Sequence, residues 1–170
     1  VLVLLAGAFT AGTVIQGDEP EALPEAQGGA LTPRRGQTRI NAIYASASPA
    51  VVSVRTRTGT GTGFLIDRDG TLVSNAHVVG GANDVAVRFG PNGRSIDAQV
   101  LGTDPSSDIA VLKISTGDTP NIRPLGFADS SRVRVGDRAV AIGSPFGLDR
   151  TATAGIVSAL KREIRAPNGY

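Results

Sequence analysis

The sequence predicts an all-β protein in which one closed antiparallel barrel is followed by part of a second, with a hydrophobic helix in front of both. Three observations carry that prediction. Apolar and polar residues alternate with period two in runs of six to nine residues, as strands buried on one face require. The runs are separated by turn chemistry such as Asp69-Gly70, Gly80-Gly81 and Pro91-Asn92-Gly93. Past residue 50 no long stretch carries helical periodicity, so the strands must pack on one another, and six short ones can do so by closing.

Taken in order, residues 1–17 (VLVLLAGAFTAGTVIQG) hold no charge, Asp18 being the first ionisable side chain. As a helix they would span about 25 Å, just short of a hydrocarbon core of about 30 Å, which reads as a membrane signal anchor or signal peptide. Residues 18–37 are rich in Pro, Gly, Glu and Ala without an apolar face, and read as a disordered linker. Thr38 can cap a short helix with Ile40, Ile43 and Tyr44 on one stripe, stopped by Pro49. The first barrel then fills the remainder of 38–114. Its alternating runs are 50–58, 63–69, 71–76, 84–89 and 95–103, and the nearly continuous apolar run 109–114 suits a central strand. Residues 115–170 hold a turn-rich connection, 115–132, and two further β-patterned runs, 138–144 and 151–164, which give only a partial second barrel with unpaired edges.

Composition narrows the chemistry. At 170 residues and 41% apolar content the chain suits one domain with a core, and with 4% aromatics and no Trp or Met that core must be aliphatic. Without cysteine there are no disulfides and no thiolate metal ligands, and with a single histidine a metal centre has little to build on. The net charge of +2, with arginines scattered along the chain, reads as solvated surface and not as a nucleic-acid footprint. Gly59, Gly61 and Gly63 are spaced G-x-G-x-G with no following Lys-Ser/Thr, so they suit a strand entrance better than a phosphate loop, and no cofactor is expected.

The only histidine, His77, lies in TLVSNAHVV, and Asp108 follows 31 residues later in SSDIAVLKI. A histidine acts as a general base when a carboxylate holds one ring tautomer and stabilises the imidazolium that forms. Taken singly, such a histidine is more often structural and such an aspartate more often a turn cap. Together with GTGTGFLIDRDGTLVSNAHVV (59–79), TDPSSDIAVLKI (103–114) and RVGDRAVAIGSPFGLDRTATAGIVSAL (134–160), they resemble the HtrA/Deg type of trypsin-like serine proteases over roughly residues 38–165. The resemblance implies a trypsin-like antiparallel double β-barrel, with His77 as the general base and Asp108 as the carboxylate that orients it.

It further implies a serine endopeptidase cleaving unfolded or damaged extracytoplasmic polypeptides, with trimers common among relatives, and the uncharged run 1–17 adds the expectation that it is anchored single-pass in the cell membrane through the N-terminal helix. The G-N-S-G-G-P nucleophile segment of the family does not occur in these 170 residues, so this piece by itself is expected to be inactive. Ser144 aligns with a turn and is not the expected nucleophile. Ser74, Ser106 and Ser107 suit backbone-satisfying roles at strand ends and turns. The competing expectation is a non-catalytic, membrane-tethered module that binds peptides or proteins on the same scaffold.

Overall fold

A computed structural model describes residues 3–6, 38–57, 59–143 and 150–162, the first of these segments by its backbone alone. Helix α1 (Arg39–Ala47) begins where Thr38 accepts from the Asn41 backbone N–H through its hydroxyl, satisfying one of the donors a helix start leaves open. Pro49 enforces a single 3₁₀ turn, Ser48–Ala50, before the chain extends. The buried stripe of α1 differs from the expected one. Ala42 and Ala47 are buried and Ile43 and Tyr44 partly so, while Ile40 stays exposed.

Six strands close the barrel: β2 (Val51–Arg55), β3 (Thr60–Leu65), β4 (Thr71–Ser74), β5 (Asp84–Phe89), β6 (Ser95–Asp104) and β7 (Ile109–Lys113). Around the barrel the order is β2-β3-β4-β7-β6-β5, every pair antiparallel, with β5 returning to β2 so that no edge is left open. The inward positions of the alternating runs supply the core, in which Val54, Leu65, Leu72, Val87, Leu112 and Ile114 are all but inaccessible. The run expected as a central strand forms β7, between β4 and β6, but in a closed barrel it is no more central than the others, and its burial alternates, with Ala110 and Leu112 inside and Ile109 exposed. The expected run 63–69 is displaced: β3 starts at Thr60, and two of the three glycines anticipated as a strand entrance, Gly61 and Gly63, lie within it. Glycine permits this at 61 and 63, where the β3 backbone passes close to its neighbours, whereas Gly59 stands outside the strand in open space. A Cβ on Gly63 would meet the Val73 carbonyl at 3.0 Å.

The second unit is a three-stranded sheet ordered β1-β8-β9, from Val3–Ala6, Arg138–Gly143 and Thr151–Ile156. β9 ends at Ile156, well short of the expected 164, and every residue in it is exposed. Val140 and Ile142 of β8 bury their side chains with Ala47 of α1 and Val51 of β2, joining this sheet to the barrel, and the Tyr44 hydroxyl donates to the Arg150 carbonyl at 2.9 Å.

The hydrophobic helix expected in front of the barrels is corrected at residues 3–6. They form β1, paired with β8 in the register Val3↔Ile142 to Ala6↔Ala139. The physical reason is the free edge of β8, whose backbone donors and acceptors an extended apolar segment can satisfy as readily as its own helix would. One expected open edge is thereby covered. The remainder of 1–17, the linker 18–37 and Ser144 lie outside the described residues. Among the described residues no helix is long and apolar enough to cross a membrane.

Candidate functional site

Antiparallel pairing of β4 with β7 removes the 31-residue separation of His77 and Asp108. Ser74 pairs with Ala110, so the chain leaves β4 towards His77 at the same barrel rim where it enters β7 from Asp108. From β4 it turns at once into α2 (Ala76–Val79), a single turn ended by Gly80 in the left-handed conformation at φ 57°. On the facing side the 104–108 turn is built by Asp104. Its Oδ1 accepts from the Ser106 backbone N–H at 2.9 Å and the Ser106 hydroxyl at 2.6 Å, and its Oδ2 accepts from the Ser107 hydroxyl at 2.7 Å. That turn delivers Asp108 at φ 54°, a left-handed conformation uncommon for residues other than glycine, asparagine and aspartate.

The two predicted site residues meet through two bonds. His77 Nδ1 lies 2.7 Å from Asp108 Oδ2, and the His77 backbone N–H donates to Oδ1 at 3.0 Å. Burial of the Asp108 carboxyl by itself raises its pKa. The two hydrogen bonds from His77, the His77 charge and a hydrogen bond from Asn75 outweigh burial and hold the carboxyl below its usual range. An ionised carboxylate only accepts, so whenever the ring is neutral its proton sits on Nδ1 and Nε2 holds the lone pair. The pair is open to solvent, with 39% of the His77 and 31% of the Asp108 side chain accessible. Such an imidazole can take a proton at Nε2 while the carboxylate stabilises the cation formed.

Sequence reasoning missed Asn75. Its Nδ2 donates to both the Asp108 carbonyl and Asp108 Oδ2, each at 3.0 Å. The available signal was an asparagine two residues before the histidine, at a position where it reads simply as a helix cap. The serines near the pair have other partners. Ser74 Oγ donates to the Thr62 carbonyl at 2.9 Å, and Ser106 and Ser107 both serve Asp104. Among the described residues no group of three or more histidine, cysteine or carboxylate side chains is placed to hold a metal.

Comparison with known proteins gives concordant matches. The family model described as "Trypsin-like peptidase domain" matches residues 61–170. The periplasmic serine endoprotease DegP of Escherichia coli K12 is 48% identical over 101 residues, 59% of this chain and 21% of that protein. A putative serine protease, HhoA, of Synechocystis is 50% identical over 101 residues, 59% of this chain and 25% of that one. Among solved structures, the serine endoprotease from Yersinia pestis superposes with a TM-score of 0.64 at 33% identity, covering 74% of this chain and 46% of that one. The HtrA-type protease AlgW with tripeptide gives 0.68 at 35% identity, covering 78% and 44%. The chain thus spans about a fifth to a quarter of the length of these curated relatives.

Proposed function

Because the chain belongs to the trypsin-like peptidase family, we propose that it is the base-bearing part of an HtrA/DegP-type serine endopeptidase, with His77 as general base and Asp108 as its orienting carboxylate. The observation that carries this reading is the doubly bonded pair, His77 Nδ1 to Asp108 Oδ2 at 2.7 Å and His77 N to Oδ1 at 3.0 Å. A purely structural aspartate needs neither a histidine partner nor a left-handed backbone. In the proposed reaction His77 Nε2 removes the proton of a serine hydroxyl as that oxygen attacks a peptide carbonyl, then returns it to the leaving amine. The G-N-S-G-G segment does not occur in these 170 residues, so the piece by itself holds the base with no nucleophile for it to deprotonate and does not cleave. The substrates are polypeptides, in unfolded or damaged form.

The domain works outside the cytoplasm, a reading supported by relatives named as periplasmic. The uncharged run 1–17 supports attachment of the domain to the membrane through its N-terminus, which requires Val3–Ala6 to leave β8. A fluorophosphonate probe tests the assignment. In a longer form carrying the G-N-S-G-G segment, one serine is labelled and unfolded casein is degraded, both dependent on His77. The 170-residue chain is not labelled. A longer form in which no serine is labelled and casein stays intact would favour the non-catalytic, peptide-binding alternative, and labelling that survives His77→Ala would deny His77 the role of base.

A further inference from the structure

Asparagine at a helix N-cap ordinarily turns its side-chain oxygen onto the backbone N–H groups of the first turn. Asn75 is the N-cap of α2, yet its side chain makes no such bond. Its Oδ1, the atom that would cap, is buried and has no hydrogen-bond partner among the described residues. An orphaned buried acceptor is costly, so some other interaction must hold the amide in this orientation. That interaction is the pair of bonds from Nδ2 to the Asp108 carbonyl and to Asp108 Oδ2. Both partners are acceptors, which fixes the amide with its NH₂ towards Asp108.

We propose that Asn75 is a positioning residue for the dyad, one side-chain amide clamping both the left-handed backbone and the carboxylate of Asp108 so that Oδ2 faces the His77 ring. The two bonds do different things. The bond to the carbonyl holds the φ 54° conformation that aims the Asp108 side chain at α2. The bond to Oδ2 stops the carboxylate rotating about its last torsion, because Oδ1 is held by the His77 backbone N–H and Oδ2 by the amide. The proposal rests on the reading of His77 and Asp108 as base and orienter, and is tested where the two fail separately.

His77 is the only histidine of the sequence, so its ring nitrogens give one unambiguous set of ¹⁵N resonances in the whole 170-residue chain. With the ring neutral, the unsubstituted chain shows the Nδ1–H tautomer in excess. Asn75→Ala lowers the Nδ1–H to Nε2–H ratio about 3- to 10-fold, the scale of one lost ordinary hydrogen bond. Asn75→Asp, which keeps the shape but sets carboxylate against carboxylate, lowers it at least as far, and Asp108→Asn abolishes the preference. If Asp108→Asn moves the ratio and neither Asn75 variant does, the positioning role is wrong and the dyad stands. If Asp108→Asn also leaves it unmoved, both fall. Should the Asn75 variants fail to fold, the unsubstituted chain still decides: the Asn75 side-chain NH₂ resonances shift as Asp108 titrates, and amide resonances indifferent to that titration overturn the clamp.

Discussion

A Cβ placed on Gly61 would stand 2.5 Å from both methyl groups of Val78, so β3 and α2 touch where β3 has no side chain. Val78 follows His77, and the fit therefore sets the height of the imidazole above the barrel rim. Gly61→Ala forces the helical turn outward. We expect a loss of about 1–3 kcal/mol by urea unfolding, the usual cost of overpacking, together with a weakened His77 Nδ1–H tautomer preference. An unchanged denaturation midpoint would show that α2 yields freely.

Gly70 closes the turn between β3 and β4 at φ 90°, where a Cβ would lie 2.6 Å from Thr119 Oγ1 and 2.8 Å from both Cγ1 and the carbonyl oxygen of Ile114. Its carbonyl accepts from the Ile114 N–H at 3.0 Å, tying the turn to the end of β7. Gly70→Ala combines a strained backbone with a clash against backbone. The expected destabilisation is about 2–5 kcal/mol. A thermal scan showing less than a tenth of that would mean the turn can rebuild around the new methyl.

Acid should unfold the protein through its turn aspartates. The Ser106 and Ser107 hydroxyls and the Ser106 backbone N–H hold the Asp104 carboxyl down to about 2, against an ordinary 3.8. Asp67, Asp108 and Asp129 are also lowered, by hydrogen bonds from Thr71, from His77 and Asn75, and from Ser131, with burial opposing in each case and for Asp108 as the largest single influence. A carboxyl with a lower pKa folded than unfolded adds stability that is complete above 3.8 and is lost as pH falls through the folded value. The melting temperature should therefore drop between pH 3.8 and about 2. Asp104→Asn should flatten that slope, and an unaltered slope would remove Asp104 from the account.

Asp108→Asn is a clean probe of the dyad in a longer form that carries the nucleophile. Asparagine tolerates the left-handed conformation as aspartate does, so the fold should persist by circular dichroism. Its amide cannot accept as a carboxylate does, and kcat should fall by about 10⁴, the scale of trypsin-like triads. A fall of less than tenfold would deny Asp108 the orienting role.

The sequence exposes the barrel because each strand keeps one face in the core. Val52, Val54, Leu72, Val85, Val87 and Leu112 mark that face by period alone, and the structure buries all of them. His77 and Asp108 were readable because each stands at a strand end beside a turn, and their meeting followed from a resemblance whose register the β4–β7 pairing supplies. Asn75 was not readable. Its role depends on which way an amide faces, and capping chemistry accounts for an asparagine there equally well. The N-terminal run misled for a related reason: apolarity without charge suits a helix in lipid and a strand on an open edge alike, and β8 offers residues 3–6 the second.

Every residue of the His77–Asp108–Asn75 cluster, and every strand of the closed barrel around it, lies between Val51 and Lys113. Chains are synthesised from the N-terminus and domains fold as units while they emerge. The His77 ring can therefore be held against Asp108, and Asp108 clamped by Asn75, on the ribosome while residues beyond the barrel are still being joined.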